Sequence, residues 1–209
     1  MKTKLLPILL MVVFALTRIP GLMPPNFSAV YALLFCAGVY FTGRMAWWLP
    51  LSVLLVTDLG IDAYYQFFQG IDAFQPYQFV PYVGYVLLIL LGRRFKPQCS
   101  FLTLLAGGVL GAILFYLITN SLAWFFNPFG NPEYTKTLAG WITALTKGTA
   151  GYPTTFEFFR NTLTSGGLFT GLFVGAMKLS EAMEPEEESD EEEAEEEEPA
   201  EGETEEARA

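Results

Sequence analysis

Polar side chains are sparse in the apolar stretches of this chain, and several of them recur at helical spacing. Asp58 and Asp62 lie four residues apart and share a face if a helix continues through Gly60. Tyr116, Asn120 and Trp124 repeat every four residues and form one stripe. Glu157, Arg160 and Asn161 open the stretch FEFFRNT, with Arg160 within i,i+3 reach of Glu157. Groups of these types recognise a solute: a guanidinium anchors a carboxylate or phosphate, and an indole offers a stacking face. They do not supply a nucleophile with its base. The chain has no histidine, which removes Ser-His-Asp and Cys-His systems and most zinc sites. It contains neither a P-loop nor a nucleophile-elbow motif. Asp58, Asp62 and Asp72 offer a nonspecific alternative, a cation site, although oxygen-ligand sites ordinarily converge more groups than these three. Cys36 lies in an apolar run and Cys99 follows a basic turn, with no spacing that reads as a disulfide or a metal clip. The expectation is a binding protein, not an enzyme, with no catalytic residue, metal or cofactor.

The elements that must hold these groups are helices in lipid. Residues 97 to 132 carry no charge, and Phe101–Phe126 is almost unbrokenly apolar. A helix of that length reaches about 39 Å, enough to cross a hydrocarbon core of about 30 Å. Further apolar runs cover Leu5–Leu16, Phe27–Phe41, Met45–Leu59, Phe79–Leu91 and Phe158–Met177. The fold expected is all-α: a polytopic membrane bundle of about six transmembrane helices over residues 1–180. Lys2 and Lys4 before the first run resemble a signal peptide, but no small-x-small cleavage pattern follows, so residues 1–22 are expected to stay as a helix. Residues 181–209 hold 17 of the 22 acidic residues and one base, Arg208. That segment has little to bury and strong self-repulsion, and reads as a disordered acidic cytoplasmic tail.

With a cytoplasmic N-terminus, Lys2, Lys4, Arg44, Arg93, Arg94, Lys96 and Lys178 face inward, and only Arg18, Lys136, Lys147 and Arg160 face outward. The positive-inside rule therefore favours both termini inside. The outward loops hold a near-repeat, GIDAYYQFFQ (Gly60–Gln69) and GIDAFQPYQF (Gly70–Phe79), either an interfacial duplication or a lid over a cavity. They also hold Thr135–Gly148, where the spacing of Leu138, Trp141, Ile142 and Leu145 predicts a short amphipathic helix. Two small-residue ridges, Gly107 with Gly111 and Gly167 with Gly171 and Gly175, mark helix packing in the bundle or against a partner subunit. Asp58, Asn120, Trp124, Arg160 and Asn161 all fall on the outer half, which points to one cavity open to the outside.

The segments Pro24–Leu33 (PPNFSAVYAL), Val56–Leu59 (VTDL), Phe115–Phe125 (FYLITNSLAWF), Tyr134–Trp141 and Phe158–Phe173 carry a resemblance. The chain resembles a family of uncharacterised bacterial integral membrane proteins usually labelled as transport proteins. Their six-helix plan is similar to that of the S components of energy-coupling-factor transporters. The resemblance implies an inner-membrane protein with an outward pocket for a vitamin-like or other neutral or aromatic solute. It adds Asn26 to the site and gives Asn120 and Asn161 the role of neutral hydrogen-bonding groups. It also implies a transmembrane coupling subunit with ATPases as partner, although no Ala-x-x-x-Ala pattern occurs between Leu5 and Leu22. The alternative is a non-transporting membrane scaffold that uses the glycine ridges and the acidic tail.

Overall fold

Apolar composition around the full circumference of a helix sends it to the centre of a fold. The segment Val30–Tyr40 (VYALLFCAGVY) is such a helix, and every residue from Val30 to Val39 is buried. A computed structural model describes the backbone of residues 5–183 and the side chains of residues 9–183. Among the described residues there are seven α-helices and no strand. They are α1 (Leu5–Thr17), α2 (Val30–Tyr40), α3 (Met45–Phe68), α4 (Pro81–Gly92), α5 (Phe101–Phe126), α6 (Leu138–Thr146) and α7 (Thr155–Ala182). The all-helical class expected from the apolar runs is the class observed. The acidic run beyond Met183, expected to be disordered, lies outside the described residues.

The central α2 packs on α4, α5 and α7, while α1 and α3 flank it on one side. Close approach relies on glycine. A Cβ on Gly38 would meet the Ile89 carbonyl oxygen and lie 2.9 Å from Gly92 Cα, so α2 and α4 touch backbone to backbone. On α5, Gly107 receives the Phe35 and Phe95 rings, Gly108 receives Thr170, and Gly111 receives Leu88. The ridge Gly167, Gly171 and Gly175 is less crowded. Added methyl groups there would sit 3.6 to 3.9 Å from Val109, Leu105 and Phe101 of α5, an ordinary contact distance.

The exterior is apolar. Exposed Leu16 on α1, Trp48 and Val56 on α3, Leu87 on α4, Leu114 on α5 and Leu172 on α7 show the pattern on every flank. Among the described residues two helices, Met45–Phe68 and Phe101–Phe126, are long and apolar enough to cross a membrane.

Local chemistry sets the ends. Ser100 caps α5 by accepting from the Thr103 N–H, and Asn127, in the left-handed conformation, closes it. The third helix runs past its expected end at Leu59 and takes the first copy of the repeat with it. Gly70, at φ 66°, then breaks the helix. The second copy stays out of α-helix because Pro76 lacks an N–H and forces Gln75 into extended backbone; only a 3-10 turn, Pro76–Phe79, forms. Near-identical decapeptides therefore adopt two structures. The predicted amphipathic helix is α6. It rests on α5 and α7 through buried Gly140 and Ala144, leaving Leu138 and Ile142 exposed.

Candidate functional site

One end of the bundle gathers the end of α1, the start of α2, the second half of α3, the start of α4, the end of α5 and the start of α7. The segment from Arg18 to Ala29 crosses this end. It is tied to α1 because Thr17 Oγ1 accepts from the Ala29 N–H at 3.1 Å. It is tied to α7 because Asn161 Nδ2 donates to the Pro25 carbonyl at 2.9 Å. Asn26, at φ 60°, turns the chain there, a conformation asparagine tolerates better than most residues.

Beneath this segment lies a hollow of about 580 Å³ walled by Arg18, Asn26, Phe27, Tyr31, Tyr65 and Tyr85, among others. Tyr31 and Tyr85 are buried, and each packs its ring on Phe115 with centroids 5.0 Å apart. The Tyr31 hydroxyl donates to the Asn26 carbonyl at 3.2 Å. A second hollow of about 370 Å³, mostly apolar, lies between α1 and α3 and shares Arg18, Ile19, Pro20 and Ile61 with the first.

Arg18 forms an ion pair with Asp58, the one ion pair among the described residues. Arg18 Nη2 donates to Asp58 Oδ1, and the Tyr82 hydroxyl donates to Asp58 Oδ2 at 2.7 Å. Arg18 Nε is buried without a hydrogen-bond partner. Asp62 Oδ2 and Gln66 Oε1, on the next turns of α3, are also buried and unpartnered. Three of the six buried side-chain polar atoms without a partner among the described residues lie here; Tyr40, Glu133 and Thr170 carry the others.

A third hollow of about 440 Å³ opens on the far side of the same end, walled by Asn120, Phe129, Asn131, Tyr134, Tyr152 and Phe158, among others. Asn120 lines it while donating back to the Tyr116 carbonyl at 2.8 Å. Tyr77, in the 3-10 turn, packs on Phe129 with centroids 5.6 Å apart. Burial, with Tyr134 nearby, raises its hydroxyl pKa above the usual tyrosine value.

The residues picked from spacing therefore divide. Asn26 borders the first hollow and Asp58 holds its arginine, whereas Asn120 borders the third. Trp124 lines none of the three; its Nε1 donates to the Thr135 carbonyl at 2.6 Å and its ring carries Lys136 Nζ at 5.3 Å. Both contacts clamp the loop after α5. Asn161 ties down the Arg18–Ala29 segment. Arg160 is exposed, and Glu157 is not its partner. Glu157 instead completes a capping box at the start of α7, accepting from the Thr154 N–H at 2.8 Å. The T-x-x-E spacing at Thr154–Glu157 already announced that cap.

The residues missed from sequence are Arg18, Tyr31, Tyr65, Tyr82 and Tyr85. Arg18 had a readable signal: it is the one outward-half cation that directly follows an apolar run, at a depth matching Asp58. The tyrosines had none, because aromatic residues are common at both faces of a membrane.

A protein-family model matches residues 1–187; its description is Family of unknown function (DUF6580). No curated protein and no solved structure matches the chain.

Proposed function

The chain belongs to the DUF6580 family, and for this member we propose a six-span bundle of the bacterial inner membrane that binds a small neutral or aromatic solute from outside and helps move it inward. The apolar exterior on every flank supports the membrane assignment. Arg44, Arg93, Arg94, Lys96 and Lys178 cluster at the end opposite the hollows, which supports cytoplasmic termini and an outward-facing site. Hydrolysis of ATP, where it drives uptake, belongs to a separate coupling subunit, since the chain lacks a P-loop.

The observation that carries the reading is the 580 Å³ hollow with three tyrosines and Arg18 in its wall. Its volume lies in the range of about 300 to 1,000 Å³ common to small-molecule sites. The anchor is Arg18 rather than Arg160, because only Arg18 borders that space.

The test uses full-length protein in nanodiscs, a panel of neutral and aromatic vitamin-sized solutes, and thermal unfolding as the readout. At least one solute should raise the midpoint, and Tyr65→Ala and Arg18→Gln should each abolish the rise. A panel without a single stabilising member would sink the proposal. A membrane partner that co-purifies until Gly171→Leu is introduced would then leave the scaffold reading in its place.

A further inference from the structure

We infer that the 580 Å³ hollow selects a neutral solute bearing a hydrogen-bond acceptor over its carboxylate counterpart, with Asp58 setting that choice; this rests on the solute-binding reading above. Arg18 is the only charged side chain among the described residues lining the hollow. Its charge is already matched. Asp58, which does not line the hollow, receives Arg18 Nη2 on one oxygen and the Tyr82 hydroxyl on the other. Asp62 adds a second carboxylate one turn along the same helix.

What Arg18 retains is donor capacity rather than net charge. A guanidinium carries five N–H groups, and Asp58 engages the Arg18 side chain that walls the hollow through one nitrogen, Nη2. A ligand that brings an acceptor to the remaining guanidinium donors makes a hydrogen bond to a charged group. An amide carbonyl or ring nitrogen does so without adding charge. A carboxylate would enter beside a cation whose charge Asp58 already matches, and would surrender its hydration. The tyrosine wall favours a flat or apolar remainder.

The experiment measures binding of matched pairs to full-length protein in nanodiscs: nicotinamide against nicotinate, biotin amide against biotin, pantothenol against pantothenate. For any pair that binds, the uncharged member should bind tighter by about tenfold or more, the scale of one hydrogen bond to a charged group. Asp58→Asn releases the arginine's charge and should move that ratio about tenfold toward the acid. Arg18→Gln should weaken the uncharged member with no gain for the acid. A wild-type preference for the acid overturns the inference while leaving the solute-binding reading intact. A ratio that Asp58→Asn leaves unmoved does the same. The wild-type and Arg18→Gln ratios decide the matter if Asp58→Asn fails to fold. Absence of binding by every pair overturns both.

Discussion

Replacing Gly38 by alanine tests the backbone contact at the middle of the bundle. The added methyl would run into the Ile89 carbonyl oxygen, 2.9 Å from Gly92 Cα and 3.0 Å from Arg93 N. All three obstacles are backbone, so no rotamer change makes room. Helix α4 would have to move off α2, which is itself held by α5 and α7 on its other sides. Overpacking of this kind costs about 1 to 3 kcal/mol, and rigid obstacles on every side put Gly38→Ala at the top of that range. Alanine's better helix propensity returns up to about 1 kcal/mol. The net loss is about 2 kcal/mol, a fall in Tm of roughly 4 to 8 °C for a chain of this size. Gly171→Ala is the internal control. Its methyl would lie 3.9 Å from Leu105 and Phe101, where it fits, and the propensity gain stands alone. Thermal unfolding of both variants in one detergent, followed by tryptophan fluorescence, gives the comparison. If Gly38→Ala melts at or above wild type, or Gly171→Ala falls as far, the α2–α4 contact does not hold the bundle together.

Three other outcomes follow from the same geometry. Glu157→Ala removes the side-chain half of the α7 capping box, the bond accepted from the Thr154 N–H, while the backbone N–H at 157 still donates to Thr154 Oγ1. It should cost about 0.5 to 1 kcal/mol, whereas exposed, unpaired Arg160→Ala should change stability by less than about 0.5 kcal/mol in the same melts. Arg18→Met strands Asp58; with the two side chains 17% and 23% exposed, the loss should be about 2 kcal/mol, below the fully buried figure, and Arg18→Met with Asp58→Leu should recover most of it. An impermeant maleimide should label half-buried Cys99 only after cells are permeabilised, while buried Cys36 stays silent. Labelling of Cys99 in intact cells would reverse the assigned orientation.

Much of the local structure was written in local sequence. Apolar runs determined where helices form, since each bonds its own backbone and needs only neighbours along the chain. The stops at Gly70 and Asn127 and the cap at Thr154 are equally local. So is α6, announced by the spacing of Leu138, Trp141, Ile142 and Leu145. Sequence also gathered the polar side chains toward one end of the bundle, because depth along a helix can be counted from its ends.

Tertiary structure decided which of those groups meet. Depth fixes a residue's height but not its azimuth, and azimuth depends on how every helix rolls against its neighbours. Asp58 thus found Arg18, forty positions away, rather than any group at matching spacing, and Asn120 turned to a different hollow. The Gly38–Gly92 approach was hidden for the same reason. A lone glycine in an apolar helix looks the same whether it faces lipid or another backbone, and only the packed bundle separates the two.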